Sequence, residues 1–590
     1  MPDDNRVGVL PLLIAWALTS AACVARALAT APSVPLILDT DDAMRLTMVH
    51  DFLAGQPWFD LVQHRLNTPY GALMHWSRLI DLPEALLLLV TRSLFGTAAD
   101  TIAAYAWPLL LLGPLLWLSA RLALRLGGRR ALWPALLLPA FSLITMAEFA
   151  PGRFDHHSAQ ILLAFVMLYC AIAALDRPRF AVGAGIAAGV ALSIGIESLP
   201  IVGATVIVFG LAWVASENRA TALRDFGLSF ALATALGLAQ GVTPERWFVP
   251  ATDAISFTYA LAALLCGAAF LALSRLRLHT AAARFIAGIL AGAAAVAIVV
   301  LSNPSMLGGP YGQLDPWLRV NWLDRISEAE PWLTSLIGEP VYATSVAVPV
   351  VTGLAVVAWN IVRQRDGRTP WLVYGLTLTI AFVVMLLQIR AARFAVPLAT
   401  PACAILVGDA WQRMVSTRGF TPIFAMLGSA IISAGIAVAV LGTIALAAFP
   451  DYEAKTADPY RAQRNACLMP AAFADLAGLP PERIMTPIDL GSHMLLYTPH
   501  SVVAAPYHRN EQGVLDAFRF FNGPIEAGRA LLESRGISLV VICPAMKEIR
   551  GLVDHAPDSF VTLFAEDKLP AWLHEVSAAG APLKVYSVEP

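Results

Sequence analysis

Charge is what this chain has least of. Of its 590 residues only 14% are Asp, Glu, Lys or Arg, while 58% are hydrophobic and the mean hydropathy is +0.66. A soluble protein of this length needs far more polar surface, so the composition points away from one. Net charge is −2, which leaves no basic face for nucleic acid. Cysteine is scarce too, with six in all. Cys23, Cys170, Cys266 and Cys403 lie in apolar runs and read as packing residues. Cys467 and Cys543 lie in a polar tail and can pair if that tail meets an oxidising compartment. Internal repeats and low-complexity stretches are missing, and no clean cleavage site follows the apolar segment 7–29. That segment therefore reads as a first membrane helix, not a removed signal.

What is present is a series of long apolar runs. They fall near 7–29, 101–122, 130–147, 158–175, 180–196, 199–215, 225–241, 254–274, 282–302, 340–362, 371–389, 393–412 and 421–449. About thirteen such spans predict a polytopic α-helical membrane protein. The stretch 82–97 is short and reads as an amphipathic helix on the membrane surface. Arginines test the count: Arg121, Arg125, Arg129 and Arg130, then Arg177 and Arg179, Arg219 and Arg224, Arg275, Arg277 and Arg284, Arg363, Arg365 and Arg368, and Arg413 and Arg418 all fall in loops of one side. By the positive-inside rule that side is cytoplasmic. Counting 82–97 as a span would break the pattern.

The other side receives the polar segments 30–81, 148–157 and 303–339, and the tail. We therefore expect a membrane domain over 1–449 and a smaller α/β domain over 450–590, outside the cytoplasm. The tail gathers most of the few lysines. In it "ISLVVIC" reads as a buried strand, "GVLDAFRFFNGPIEAGRALLESRG" as helices ending at Gly536, and "PLKVYSVEP" as a last strand.

Five outer stretches carry chemistry. "LDTDDAMRL" holds Asp39, Asp41 and Asp42 before a helical pattern. One Asp explains a helix cap; three exceed what a cap needs. In "EFAPGRFDHHSAQ", Asp155 and His157 alternate and can share a divalent cation, with His156 facing elsewhere. Otherwise this is a polar turn capped by Asp155. "DRISEAEPWL" places Glu328 and Glu330 before Pro331 in a long loop, where solvated acids are the plain alternative. Arg390 and Arg393 in "LLQIRAARFAVPLATP" stand on the side the positive-inside rule disfavours. Gripping a phosphate is one reason for them to be there, snorkelling to lipid headgroups the other. "PIDLGSHMLLYTPHSVVAAPYHRN" offers Asp489 and Gly491 in a turn, then His493, His500 and His508 at spacings that match no familiar zinc pattern.

Taken in order, these stretches resemble the catalytic subunit of oligosaccharyltransferases, within the GT-C class of polyprenol-dependent glycosyltransferases. "DTDDAMR" is similar to the family's first-loop Asp before an Arg, with Asp39 fitting best and Asp41 and Asp42 as rivals. "PGRFDHHSAQ" resembles the second-loop pair of acids, with Asp155 as the first and His157 in place of the second. "ISEAEP" is similar to the long-loop stretch that carries the catalytic Glu, which places Glu328 there. "RAARFAVPLATP" resembles the segment beside the donor diphosphate, which places Arg393 there with Arg390 close by. "PIDLGSHMLLY" keeps Asp489 and Gly491 of the Trp-Trp-Asp-Tyr-Gly acceptor turn and lacks both Trp.

The resemblance implies an inverting transferase at the outer face of a bacterial inner membrane, with a periplasmic tail. A polyprenyl-linked phosphate or diphosphate sugar would be the donor, lying in the lipid bilayer, and a protein, lipid or glycan the acceptor. It implies a divalent cation, Mg or Mn, on Asp39 or its neighbours, Asp155 and His157. Glu328 and a first-loop Asp would hold or activate the nucleophile, and Asp489 and Gly491 would bind the acceptor. Two other readings stand beside it. A transporter or flippase needs ionisable groups near the midplane, where Glu197 is the main edge candidate. A non-catalytic assembly protein would explain the His157 change and the missing Trp pair.

Overall fold

The computed structural model describes residues 6–364, 367–417, 419–449 and 458–589. Arg365 and Arg418 of the charge pattern, and the tail's first residues up to 457, lie outside the described residues. Among the described residues ten helices are long and apolar enough to cross a membrane: Val9–Thr30, Arg78–Gly127, His157–Ala174, Ile196–Ala215, Glu217–Gly241, Phe257–Arg275, Ala281–Ser302, Pro340–Arg363, Thr369–Leu387 and Ile389–Ser416.

Three of the thirteen expected spans do not form such helices, each for a local reason. The run 130–147 breaks into Leu132–Leu137, a tight turn over Leu138–Phe141, and Leu143–Glu148. Pro134 and Pro139 remove amide donors there. The helix Phe180–Ile194 has only 15 residues, about 22 Å at 1.5 Å per residue and short of a hydrocarbon core of about 30 Å. The last run divides into Phe420–Ser433 and Gly435–Leu446, bent by 93° at Ala434; as a single broken span it makes an eleventh.

The stretch expected to lie on the surface forms Arg78–Phe95, which turns at Gly96–Ala98 into Ala99–Gly127. It runs alongside Thr40–Leu53. Arg45 meets Asp81 at 2.7 Å near its start, and His50 meets Asp100 at 3.1 Å just past its end. Leu82, Leu86, Leu89, Val90 and Leu94 are exposed along it while Asp81 and Glu84 are buried. An apolar outer face and a polar inner one suit a helix lying in the interface.

The Arg-bearing loops meet at one end of the bundle. Arg125 pairs with Asp176, Arg219 donates to the Leu175 carbonyl, Arg284 donates to that of Val214 at 3.0 Å, and Arg130 meets Asp409 at 2.5 Å. The polar loops and the tail gather at the other end. There a five-stranded sheet runs in the order Ser501–Val502, Arg483–Met485, Leu539–Ile542, Lys584–Val588, Leu573–Glu575. The first three strands are parallel; Lys584–Val588 is antiparallel to both its neighbours. Leu539–Ile542 is buried throughout, as its run of apolar residues predicts. The helices Glu511–Asn522 and Ile525–Arg535 cover the sheet, and the second ends at Gly536 with φ of 63°. Cys467 and Cys543 are disulfide-bonded, with Cα atoms 6.0 Å apart.

The outer loops and the tail share their cores. Met44, Met48, Leu66 and Trp76 of the first loop pack with Met494, Val502 and Tyr507 of the tail. Thr68 donates its amide to the Val502 carbonyl at 3.1 Å, so the loop extends the edge of the sheet. Leu314, Leu318 and Trp322 of the long loop pack with Met485, Val514 and Phe518. Glu328 is thus carried by a loop that the tail holds down.

Candidate active site

The three first-loop acids have three different surroundings. Asp39 caps the helix Thr40–Leu53: its Oδ1 accepts from the Asp41 amide at 2.9 Å, and its Oδ2 from Arg153 at 2.8 Å. Against the cost of burial, Arg153 and that amide hold the Asp39 carboxyl below its ordinary value despite Asp155 nearby. Asp42 is buried, accepting the amides of Phe154 and Asp155 at 2.7 Å each and Arg153 at 2.9 Å. It bolts the second loop to the first. Asp41 is half-buried and faces a cavity. Burial, with Asp155, Asp39 and Glu328 close by, pushes its carboxyl well above the ordinary range.

The second loop turns on Gly152, whose φ is +96° and whose added Cβ would lie 1.9 Å from the Leu36 carbonyl oxygen. Only glycine fits this approach. The turn delivers Arg153 among four carboxylates: Asp39, Asp42, Glu148 at 3.5 Å and Asp155 at 3.6 Å. Asp155 Oδ1 lies 2.5 Å from the His156 ring and Oδ2 lies 2.9 Å from His157 Nε2. The alternation that turned His156 away fails because His157 already begins a helix, so the two rings lie 4.5 Å apart. Asp155, His156 and His157 offer donor atoms that all fall within 4.8 Å of one another.

Glu328 sits on a short turn, Ser327–Ala329, pinned where the Ile389 amide donates to the Glu330 carbonyl at 2.9 Å. Its carboxylate accepts from Arg393 at 3.2 Å, and Arg393 also contacts His157 and lies 3.8 Å from Glu148. One cavity of about 350 Å³ is lined by Asp39, Asp41, Asp155, His157, Glu328 and Arg393, and roofed from the tail by Asp489 and Glu548. Residues from five distant segments therefore face one another. Glu548 is buried, accepts the Asp489 amide at 3.2 Å through Oε1, and has no hydrogen-bond partner for Oε2 among the described residues. Burial and the Asp489 charge push its carboxyl up to about 8.

Some sequence-selected residues stand apart from this cavity. Asp42 lies behind it. Gly491 is buried where an added Cβ would meet the Ala504 carbonyl oxygen at 1.9 Å, so it serves close packing. Arg390 opens on a neighbouring cavity of about 280 Å³ with Glu197, Tyr311 and Arg393. His493, His500 and His508 disperse onto the Ile37 carbonyl, the Leu476 carbonyl and Asp253. Sequence reasoning gave no role to Arg153, Glu148, His156 or Glu548. Arg153, like Arg390 and Arg393, stands on the side that the positive-inside rule disfavours, and that position marks it in the sequence.

The neighbouring cavity shares Leu199, Tyr259 and Met306 with an apolar groove of about 660 Å³. The groove lies between Leu199–Ala215, Phe257–Arg275 and Ala281–Ser302. Four of its glycines, Gly203, Gly210, Gly288 and Gly292, have nothing within 4 Å of an added Cβ. They widen a channel instead of tightening a helix contact. An apolar groove thus leads to Arg390 and Arg393, and Arg393 lines the acidic cavity as well.

No family model matches the chain, and no curated protein does. Solved structures do match. The archaeal oligosaccharyltransferase AglB from Archaeoglobus fulgidus, in complex with an inhibitory peptide and a dolichol-phosphate, superposes with a TM-score of 0.68 at 14% identity, covering 98% of this chain and 74% of that one. The Archaeoglobus fulgidus enzyme tethered to an acceptor peptide containing the NVT sequon superposes at 0.57 with 13% identity, over 93% and 69%. Its complex with Zn and sulfate gives 0.57 and 14%, over 90% and 67%. The chain has the fold of an oligosaccharyltransferase catalytic subunit, a GT-C membrane fold.

A fold of this kind implies a cation, and the residues present fit one with a changed donor set. Asp39 has both oxygens engaged and stays outside the cluster, while His156 joins Asp155 and His157. Two imidazoles and a carboxylate make up that possible set, richer in nitrogen than Mg or Mn ordinarily takes.

Proposed function

We propose that this protein is an inverting glycosyltransferase of the oligosaccharyltransferase kind. It moves a sugar or oligosaccharide from a polyprenyl phosphate or diphosphate to an acceptor at the outer face of a bacterial inner membrane. The observation that carries this reading is the joining of an apolar groove to an acidic cavity at Arg393.

The lipid chain lies in the groove, and Arg390 and Arg393 take the phosphate oxygens, the geometry to which guanidinium is suited. A divalent cation on Asp155 and His157 would offset further charge on the leaving phosphate. Glu328 and Asp41, both facing the cavity, hold the acceptor's nucleophilic group and receive its proton. The nucleophile attacks the anomeric carbon from the side opposite the phosphate. The new glycosidic bond forms as the carbon–oxygen bond to phosphate breaks, and the electron pair leaves with the phosphate. In the roof Asp489 accepts a hydrogen bond from the acceptor, and the protonated Glu548 donates one from Oε2. The matched enzyme was captured with a peptide and with a dolichol-phosphate, which agrees with a lipid donor and leaves a peptide among the acceptors. The tail disulfide and the arginines at the opposite end support an outward-facing site.

Glu328→Gln is the direct test. In membranes it should abolish glycan transfer with expression and fold intact. Unchanged glycosylation by that variant would remove Glu328 from the mechanism and the reading with it.

A further inference from the structure

The loop between the helices Glu217–Gly241 and Phe257–Arg275 carries Asp253, a carboxylate with no part in the chemistry above. It is mostly buried, and the tail takes both its oxygens. Arg509 donates to Oδ2 through Nε at 2.6 Å and to Oδ1 through Nη2 at 2.9 Å, and His508 Nε2 lies 2.6 Å from Oδ2. Against the cost of burial, His508 and Arg509 hold the Asp253 carboxyl far below its ordinary value. An ionised carboxylate can only accept, so His508 Nε2 carries a hydrogen toward it. That bond fixes the direction of the ring. The ring in turn lies 4.6 Å from His75 and 5.1 Å from Tyr311, the latter in an edge-on contact that aromatic pairs favour. Tyr311 stands in the wall of the cavity that holds Arg390 and Arg393, with the Arg390 guanidinium against its hydroxyl. The residue before Asp253 reaches the same wall: Thr252 lines the cavity, and its Oγ1 donates to the Pro310 carbonyl at 3.4 Å. Tyr259 of the next helix donates to the Thr252 carbonyl at 2.6 Å. Thr252 and Asp253 thus tie the long loop and the tail to one point of the membrane domain.

We propose that Asp253 is a positioning residue for the lipid-linked donor: through His508 it holds Tyr311 with its hydroxyl beside Arg390, where that hydroxyl donates to the donor's phosphate. This rests on the reading of Arg390 and Arg393 as the phosphate site. It makes the tail a support of the donor site as well as the roof of the acceptor cavity. A tyrosine on a long loop would otherwise lose rotamer freedom when the donor binds. Fixing it beforehand removes that cost from binding. A hydrogen bond to a charged oxygen is stronger than one between neutral groups, so the single hydroxyl accounts for about tenfold in affinity or more.

The test uses the full-length protein in detergent and two probes, undecaprenyl phosphate and undecaprenol, which differ only in the phosphate. Tyr311→Phe should weaken undecaprenyl phosphate about tenfold or more and leave undecaprenol unchanged. Asp253→Asn should weaken the phosphate probe about threefold or more, again without touching undecaprenol, and Asp253→Glu should restore it. In the Tyr311→Phe background Asp253→Asn should add nothing, because the hydroxyl it positions is gone. A merely structural Asp253 would weaken both probes alike, or act additively with Tyr311→Phe, and either result overturns the positioning role. Wild-type affinity for undecaprenyl phosphate in Tyr311→Phe overturns the proposal and leaves the phosphate to the arginines. Should Asp253→Asn melt early, His508→Ala takes its place, since Arg509 still ties the tail to Asp253. Unchanged phosphate affinity in His508→Ala then overturns the positioning role. Failure of the wild type to bind undecaprenyl phosphate at all sinks the donor reading, and the proposal with it.

Discussion

Glu328 and Arg393, 65 positions apart in the chain, meet at 3.2 Å across the wall of a single cavity. One comes from a loop held by the tail, the other from the start of a buried membrane helix. In the proposed mechanism their contact is where the acceptor side of the site touches the donor side. Arg393→Lys keeps the charge and loses the planar fork. It should raise the KM for the lipid-linked donor about tenfold or more, roughly 1.4 kcal/mol, in a transfer assay with purified protein. An unchanged donor KM would detach Arg393 from the phosphate.

The first-loop acids should separate in experiment. Asp42→Ala strips a buried carboxylate from Arg153 and two amides, and should cost about 3–5 kcal/mol of stability, seen as a large fall in melting temperature. Asp41→Asn should melt with the wild type and lose transfer. The opposite outcome for the pair would exchange their roles.

Glu548 gives stability a pH dependence of known sign. Its carboxyl stands at about 8 in the folded protein and ordinarily at about 4.3. Between those values the folded state holds a proton that the unfolded state has released, so stability falls as pH rises through the window. The wild type should melt lower at about pH 8 than at about pH 5, and Glu548→Gln should flatten that difference. Parallel profiles for the two proteins would count against a buried, proton-holding Glu548.

The glycine-widened groove predicts a chain-length effect. Gly288→Leu or Gly210→Leu puts a side chain where an added Cβ would meet nothing within 4 Å among the described residues beyond its own stretch of helix. The fold should survive, and transfer from a long polyprenyl donor should fall about tenfold or more while a short-chain analogue is affected less, since each buried CH₂ contributes about 0.8 kcal/mol. Equal loss with both donors would place the lipid elsewhere.

Periodicity and polarity, which are local, settled a good deal. The apolar runs, the buried strand Leu539–Ile542, the helix stop at Gly536 and the side on which arginines collect could all be read directly from the residues. So could the ordered series of outer stretches that supplied most of the cavity's lining. Breaks inside apolar runs were harder. Pro134, Pro139 and the bend at Ala434 leave hydrophobicity intact while ending the helix.

The tertiary structure decided which acid does what, because that depends on partners far along the chain. Asp39, Asp41 and Asp42 differ through Arg153, the Phe154 and Asp155 amides, and the tail, all more than a hundred residues away from them. His156 joined the cluster and Asp39 left it because a helix start and a guanidinium redirected their polar atoms. The roof formed by Glu548 left no mark in its own neighbourhood of the sequence. Residue types set which chemistry was possible, and only folding, by packing the tail onto the loops, chose the atoms that face one another.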